Sequence, residues 1–407
     1  MSLRVTRPTV NLREKVNSLD HDIGAHGGAL MRSRTPAETF NLVQAGRKNL
    51  VINGGMVIYQ RGAYNSAVDV PNGNNYYIDR WFCNVAAEFN NEVEIFQNRS
   101  DIYPPDGFRY CMSIRCKTAS FGTGSAYWNF RQHIEGNNIA HLHWGYPDAK
   151  PVSLQFWVRS NRTGSYAISM RNSQTDWSIV YPYTINQSNT WQHVKIENIP
   201  GATHESWTTG VGTGIVLNFG FGSSQNTGGY RVKEGELGVW QATGSTGYER
   251  QRDFTDRVDN QLHLTGVQLE EGSFCTPFEH RPYSEELTLC ERYYERYWQN
   301  NNTNGPGGGG GDGYNTIAAG THNGTNSYFP WRFRTQKRAR PSVNYAGKFR
   351  VIGGASIANQ VPDEFYSPGA DGVRVRVNHS GSAGQAYVLE FDGANSSNGY
   401  LEASAEL

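Results

Sequence analysis

The 407-residue sequence has no long hydrophobic run and no cysteine pair at metal-binding spacing. No stretch approaches the roughly 18 apolar residues that a membrane-spanning helix needs. The start, MSLRVTRPTV, also lacks the apolar segment of a secretory signal peptide. HExxH, a P-loop, GxSxG and a paired-carboxylate cluster are absent. We therefore expect no membrane insertion, no signal-peptide-dependent secretion and no enzymatic activity.

Charged residues are scarce and balanced. They make up 18% of the chain, against a usual share of about 25%, and 37 basic residues oppose 37 acidic ones. A zero net charge gives no general attraction to nucleic acid or to an anionic membrane, so we expect neither as a partner. Uncharged partners, such as sugars or other protein subunits, suit this composition better.

Cysteine is limited to five widely spread residues: Cys83, Cys111, Cys116, Cys275 and Cys290. Cys111 and Cys116 are five apart in one predicted strand, so their side chains point to opposite faces and do not pair. The odd number and wide spacing predict reduced, structural thiols, as in a protein that assembles in a reducing cytoplasm.

Glycine and aromatic residues are abundant, with 46 Gly, 23 Tyr, 18 Phe and 10 Trp. Alternation of period two indicates strands, for example at 110–117, 152–159 and 215–221. Strands with one buried and one solvated face form antiparallel sheets, and roughly ten of them fit a two-sheet jelly roll. We predict a mainly β protein with an antiparallel jelly-roll sandwich at 49–283, a joining helix at 284–299, a Gly-rich linker at 300–313 and a smaller C-terminal β-domain at 314–407.

Residues 1–48 differ from this pattern. Two short helices are predicted, the first with Leu12, Val16 and Leu19 on one apolar stripe and the second with Phe40 and Val43. Two short helices cannot enclose a core, so this N-terminal helical segment needs a partner surface.

Three parts of the chain resemble one family. They are LTGVQLEEGSFCTPFEHRPYSEELTLCERYY at 264–294, AGRKNLVINGGMVIYQRG at 45–62 together with YYIDRWF at 76–82, and LEASAEL at 401–407. These segments resemble a signature of tail-fibre and other appendage proteins of tailed bacteriophages, especially short-tailed, podovirus-like phages of marine bacteria and cyanobacteria. Within the first segment, Gly266 indicates a β-bulge.

The resemblance implies a virion structural protein that assembles as a homotrimer in the bacterial cytoplasm. It implies a jelly roll similar to carbohydrate-binding modules, and Ca²⁺ as the possible cofactor. The N-terminal helical segment would then attach the protein to other virion proteins.

The predicted joining helix carries an apolar stripe of Leu287, Cys290, Tyr294 and Tyr297 at helical spacing. A helix of roughly 14 residues is marginal alone. We therefore expect the stripe to pack at a three-fold axis, as an oligomer interface, or against the second sheet.

The candidate glycan site consists of Trp128, His133, His143, Trp144 and Tyr146, which concentrate aromatic and imidazole groups in one region. Flat aromatic faces stack on sugar rings, and exposed aromatic residues commonly mark binding sites. The alternative is that these residues belong to the sheet core or to a subunit interface. This alternative is favoured because most aromatic residues of β proteins lie in such places.

Candidate transition-metal ligands are few. His141 and His143 share a face if they lie on a strand, and His133 could join them from the same hairpin. No carboxylate or thiolate stands beside them in the pattern, so a solvated sheet face is the favoured interpretation.

Candidate calcium ligands are Glu270, Glu271 and Asn53, which could supply oxygens near the paired terminal strands. They form no contiguous ligand pattern, and ordinary charges at a strand edge are the favoured interpretation.

The stretch 331–340 contains five basic residues among alternating aromatic ones. It could contact phosphate or lipopolysaccharide. The favoured interpretation places Arg332 and Arg334 on the solvated face of an edge strand, where basic residues block aggregation.

Three functions fit these observations. The first is a trimeric tail fibre or appendage that binds a host-surface glycan, and the second is a capsid decoration, head fibre or tail-assembly protein without receptor binding. The third is a glycan depolymerase, which needs two carboxylates about 5–9.5 Å apart and is commonly built on a parallel β-helix whose repeat is absent from this sequence. We expect the first.

Overall fold

The computed structural model describes residue 27 and residues 47–407, except 62–66, 87–88, 99–101, 120–126, 175, 205–206, 224–230, 299–315, 367 and 393–398. Residues 1–48 and 49–407 are separate compact units. The predicted N-terminal helices, with Leu12, Val16, Leu19, Phe40 and Val43, lie outside the described residues, as does the Gly-rich stretch 300–313.

Two six-stranded antiparallel sheets form a sandwich. Sheet I contains, in spatial order, β1 (Val68–Asp69), β4 (Val93–Asn98), β5 (Cys111–Cys116), β14 (Gln261–Glu271), β7 (Val152–Ser160) and β10 (Gln192–Ile199). Sheet II contains β2 (Gly73–Tyr76), β3 (Trp81–Val85), β6 (Tyr127–Glu135), β11 (Thr213–Ser223), β8 (Gly164–Arg171) and β9 (Ser178–Ile185). Strands distant in sequence are neighbours, since β14 pairs with both β5 and β7.

Aromatic rings fill the space between the two sheets. Trp81 of β3 stacks on Phe130 of β6 with ring centroids 4.9 Å apart. Phe156 of β7 meets Phe219 of β11 edge to face at 5.1 Å, a contact that crosses from one sheet to the other. Alternate residues of the longer strands point into this core, which confirms the predicted mainly β fold and its sandwich.

Short elements complete the sandwich. A parallel pair, β12 (Arg231–Val232) and β13 (Gly247–Tyr248), covers Ala167 and Val180 on the outer face of sheet II. Short 3-10 helices occupy Gly136–Asn138, Ala140–Leu142, Glu234–Glu236 and Phe254–Asp256. Among the described helices, none is long and apolar enough to cross a membrane.

The joining helix, α1 (Tyr283–Glu291), is shorter than the predicted 284–299. The chain enters β15 (Tyr294–Trp298) three residues after α1 ends, and β15 pairs antiparallel with β24 (Tyr400–Ser404). The segment YERYW is compatible with a strand as well as with a helix, because Tyr and Trp favour sheets. A partner strand far along the chain decides between the two.

The stripe predicted as an oligomer interface is used within one chain. Cys290 is fully buried and Tyr294 is 3% exposed. Tyr297 stacks on Phe391 with centroids 6.1 Å apart, and Leu287 is half-buried beside Cys290. Cys290 and Tyr294 are covered by their own chain, which contradicts an interface at these two residues, whereas an interface at the half-buried Leu287 and Tyr297 stays a prediction.

The C-terminal β-domain contains two further antiparallel sheets around its own core. Sheet III consists of β15, β24 and β18 (Ser342–Ala346), with β24 in the middle. Sheet IV contains, in spatial order, β20 (Ala355–Gln360), β19 (Phe349–Gly353), β23 (Ala386–Phe391), β16 (Thr316–His322), β17 (Asn326–Arg332), β22 (Gly372–Asn378) and β21 (Pro362–Tyr366).

Buried and half-buried ion pairs join the sandwich to the segments that follow it in the chain. Arg61 contacts Asp79 and Glu406, each at 3.0 Å, and Arg292 contacts Glu135 at 2.7 Å. Removing one partner of such a pair leaves an uncompensated buried charge, which is strongly destabilising. The sandwich and the residues that follow β24 are therefore held together by charge as well as by apolar contacts.

The basic stretch 331–340 is mostly part of this joint. Arg334 pairs with Glu291 at 3.0 Å, Lys337 is buried, and Arg338 donates to the carbonyls of Ala405 and Glu406. β17 lies between β16 and β22, so the predicted edge strand is wrong. Within the stretch 331–340, Arg332 at the end of β17 is the basic residue that lies on the open face of the sheet.

Candidate functional site

The outer face of sheet I, turned away from the sandwich core, carries ordered rows of polar and aromatic side chains. Leu264, Val158 and Phe156 point into the core, so their neighbours along each strand point outward. From β14 across β7 to β10, the rows are His263 and Arg159; Thr265, Trp157 and His193; and Gln268, Gln155 and Lys195.

Gly266 shapes this face. The pairing of β14 with β7 shifts register between Thr265 and Gln268, which confirms the predicted bulge. Gly266 has φ +63°, and a Cβ there would lie 2.7 Å from Phe108 Cζ and 3.0 Å from Trp157 Cδ1. The missing side chain therefore lets two aromatic rings rest against the backbone of β14.

A line of rings extends from this glycine in both directions. Phe108 meets Phe278 at 4.9 Å and His280 at 5.4 Å, and Trp157 stacks on His193 at 4.6 Å with ring planes 6° apart. His193 and His280 are exposed, and the other three rings are half-buried. We call Phe108, Trp157, His193, Phe278 and His280 the aromatic groove.

The groove contains a cavity of about 290 Å³ at the Phe108 end. Its lining includes Tyr59, Arg109, Tyr110 and Tyr283. Pockets for small ligands begin at roughly this volume and are lined mainly by apolar and aromatic groups with a few polar ones. The cavity therefore has the size and lining for a ring-sized ligand.

The acidic groups of the cavity are engaged in structural contacts. Arg281 pairs with Glu279 at 3.0 Å and with Glu286 at 3.4 Å, and the backbone N–H of Asn49 donates to Glu279 at 2.7 Å. Burial raises the pKa of Glu286, and Arg281 lowers it in part. These carboxylates hold the stretch from Glu279 to Glu286 against the segment at residues 49–53, which is a structural role.

Two of the predicted glycan-site residues lie in the core. Trp128 is fully buried and packs on Phe221 with centroids 5.2 Å apart. Trp144 is 3% exposed, donates from Nε1 to the carbonyl of Lys150 and packs on Trp207. Neither ring offers a face to a ligand, so their assignment to a glycan site is corrected.

The other three residues of the predicted glycan site, His133, His143 and Tyr146, do not lie together. His133 lies on the outer face of sheet II near the carbonyl of Leu407, 3.1 Å from Nδ1, and burial lowers the pKa of its imidazole to about 3. His143 and Tyr146 are exposed and stack on each other at 4.2 Å. The structure therefore keeps two of the five predicted residues as an exposed pair, outside the aromatic groove.

The histidines proposed for a transition metal do not converge. His141 ends up in a 3-10 helix instead of a strand, and its Nε2 lies 3.6 Å from Glu271. His143 Nδ1 lies 2.6 Å from Asp148, and this hydrogen bond lowers the pKa of the Asp148 carboxyl. Within the described residues, no group of three or more His, Cys, Asp and Glu side chains is placed to hold a metal ion.

The candidate calcium ligands have other partners. Glu270 is fully buried and accepts hydrogen bonds from the backbone and hydroxyl of Thr276 and from Gln268. Glu271 pairs with Lys150 at 2.9 Å. The Asn53 side chain hydrogen-bonds the backbone at Val57, Ile58 and Asp79. These groups do not fit a calcium site.

The sequence contained two signals for the aromatic groove. The alternation of Trp157 with buried residues of β7, and the isolated Gly266 in β14, were both visible in the pattern. The approach of the loop containing Phe108 to the turn containing Phe278 depends on tertiary packing, and no local pattern encodes it.

Comparisons with known proteins gave similarities at the level of solved structures only. No protein-family model matches the chain, and no curated protein matches it. Among solved structures, the enzymatically active domain of tailspike protein 4 from bacteriophage CBA120 is 15% identical with a TM-score of 0.29, over 55% of this chain and 21% of the tailspike chain. This chain thus matches about a fifth of that protein.

Two carbohydrate-binding modules are similar at the same level. TmCBM61, in complex with β-1,4-galactotriose, is 11% identical over 55% of this chain and 99% of the module, with a TM-score of 0.27. A family 11 module of Clostridium thermocellum is 8% identical over 53% and 98%, with a TM-score of 0.25. At these TM-scores the similarities carry no argument about function.

Proposed function

We propose that this chain is a non-catalytic, glycan-binding structural protein of a bacteriophage virion appendage. The aromatic groove is the observation that carries the glycan-binding part. The virion part, the homotrimer and attachment through the N-terminal helical segment rest on the resemblance of the three sequence segments to phage appendage proteins.

The groove suits sugar rings for a physical reason. One face of a pyranose ring presents C–H groups that stack on aromatic rings, and hydroxyls at the ring edge accept or donate hydrogen bonds. In the groove, Trp157 and His193 provide flat rings, while Arg159 and Lys195 project from the same face. A chain of sugars laid along the rings would bury its apolar faces and keep its hydroxyls near polar side chains.

The carboxylates of the cavity support binding over hydrolysis. Glycoside hydrolysis needs one carboxyl group free to donate a proton and a second free to act as nucleophile or base. Glu279 and Glu286 accept hydrogen bonds from Asn49, Asn53 and Arg281. Both oxygens of Glu279 and the Oε1 atom of Glu286 are therefore engaged in contacts within the fold.

The test is binding of the purified chain to host envelope polysaccharide in affinity gel electrophoresis. His193→Ala removes one of the two exposed rings of the groove, and we expect affinity to fall by about tenfold, as for a ring at a binding hot spot. His204→Ala is the matched control, because His204 is also exposed and also stacks on a tryptophan, Trp177 at 5.7 Å, but lies outside the groove. Equal affinity of the two variants would contradict the groove as the binding site.

A second assay separates the alternatives. Host cells are preincubated with the protein, and the phage that remains free is counted. Blocked adsorption supports a receptor-binding fibre, whereas unaffected adsorption with no glycan binding favours a capsid decoration or tail-assembly role. Release of reducing sugar from the polysaccharide would show a depolymerase and overturn the non-catalytic assignment.

A further inference from the structure

The outer face of sheet IV carries a second aromatic and charged surface, far along the chain from the groove. Phe329, Trp331 and Val375 point into the core of the C-terminal β-domain. Their neighbours on β17, β22 and β21 therefore point outward. We call the side chains Tyr328, Arg332, Tyr366, Arg374 and Arg376 the Tyr–Arg face.

The strand register brings these side chains together. Arg374 of β22 lies opposite Tyr366 of β21 and Pro330 of β17, and Arg376 lies opposite Tyr328. The Arg374 guanidinium is 5.0 Å from the ring centre of Tyr328 and 5.1 Å from that of Tyr366. Two tyrosines and one arginine thus form a compact cluster on an open sheet.

Arg332 lies on the same face of sheet IV as this cluster. It lies opposite Gly372 of β22, and a Cβ on Gly372 would be 3.4 Å from Arg332 Cδ. The Arg332 side chain therefore passes over β22 at the place where that strand has no side chain. This puts Arg332 diagonal to Arg374, at a separation where side chains on neighbouring strands still interact.

The charges of this face are unbalanced. Among the described residues, the ion pairs on this sheet join Arg350 to Glu390 and Arg376 to Asp363 and Glu364, and none of them includes Arg332 or Arg374. Arg332 and Arg374 occupy diagonal positions on neighbouring strands, within reach of each other for long side chains. An anion bound by both guanidiniums would accept several charge-assisted hydrogen bonds.

We propose that the Tyr–Arg face is a second binding surface, which takes an anionic saccharide with its phosphate or carboxylate at Arg332 and Arg374 and its sugar ring beside Tyr328 and Tyr366. The tyrosines favour a sugar over a bare ion, since they add apolar ring area beside the charges. The surface is independent of the aromatic groove, so either site can fail without the other.

The experiment uses the full chain in affinity gels that contain polygalacturonate, phosphomannan or dextran. We expect retardation by at least one of the two anionic polymers, weaker in higher salt because the contact is between charges. The polymer that binds more tightly identifies the anion as carboxylate or phosphate. If neither anionic polymer retards the protein, the proposal is overturned. Dextran carries no charge, so binding to it measures the aromatic groove and serves as the control.

Variants locate the contact. Arg332→Gln/Arg374→Gln should weaken binding to the anionic polymer by about tenfold or more and leave dextran binding unchanged. Tyr366→Leu keeps apolar bulk, removes the ring and should weaken binding by several-fold. Arg250→Gln/Arg257→Gln removes the same charge from exposed loop positions of the sandwich and should have no effect.

Two results would overturn the assignment. An equal loss in the Arg250→Gln/Arg257→Gln control would mean that binding follows overall charge. A lower mass of the Arg332→Gln/Arg374→Gln variant in sedimentation would mean that the face contacts another copy of this chain.

Discussion

Replacing Gly266 by alanine should both strain the backbone and disturb the aromatic groove. At φ +63° a residue with a side chain costs about 1–2 kcal/mol. The new Cβ would be 2.7 Å from Phe108 Cζ. Ordinary contact begins at 3.4 Å, so the ring must move by 0.7 Å (3.4 − 2.7). Overpacking of this kind costs about 1–3 kcal/mol, and we expect a total loss of about 2–5 kcal/mol in the free energy of unfolding.

Two other glycines separate the causes. Gly384 has φ +81° and open space around its Cβ position, so Gly384→Ala measures strain alone. Gly210 has open space and no positive φ, so Gly210→Ala should be neutral or stabilise by up to about 1 kcal/mol. Chemical denaturation gives all three values, and affinity gels give glycan binding, which we expect only Gly266→Ala to weaken. If Gly266→Ala were no less stable than Gly384→Ala and bound glycan normally, the role given to Gly266 would be wrong.

Three further predictions follow from buried groups. Lys337→Met should lower the free energy of unfolding by about 3–5 kcal/mol in urea denaturation, because the carboxylate of Glu295, 2.8 Å away and 1% exposed, loses its ion-pair partner. Lys117→Met removes one member of an exposed pair and should lower it by at most about 1 kcal/mol. Equal losses in the two variants would contradict the distinction between buried and exposed pairs. Burial lowers the pKa of His133 and of His263 to about 3 from 6.5, so the unfolded chain binds more protons than the folded chain between these pH values. Stability should be full above pH 6.5 and fall toward pH 3, by up to about 1.4 kcal/mol per pH unit for each histidine; His263→Asn should reduce that slope in a pH series of denaturation midpoints, and an unchanged slope would refute the assignment. All five cysteines are buried and none of them is in a disulfide bond, so a thiol reagent should label the native protein only after denaturant is added, and immediate labelling would contradict the structure.

Local patterns predicted the sandwich because the alternation of apolar and polar residues along a strand distinguishes its inner face from its outer face. In β7, Leu154, Phe156 and Val158 are buried while Trp157 and Arg159 are half-buried, as the alternation indicates. The same reasoning failed for β15, since YERYW fits two periodicities at once. The partner that decides between them, β24, is distant in sequence.

The site was less accessible to sequence reasoning. Trp128 and Trp144 have the residue type of a glycan site, yet both are buried. Exposure is a property of the packed fold, whereas residue type is a property of the sequence. The groove depends on a loop and a turn that meet over Gly266, and only the three-dimensional structure brings Phe108 to Phe278.

The place of β24 between β15 and β18 sets an order of events during synthesis. Trp298 of β15 pairs with Tyr400 of β24, so 102 residues (400 − 298) separate the two partners. At about 5–20 residues per second, a ribosome needs roughly 5–20 s to make that interval. For that time the edge of β15 that later pairs with β24 is also open, and an open edge is a template for pairing with other chains. The yield of soluble protein should therefore depend on how quickly this interval is translated.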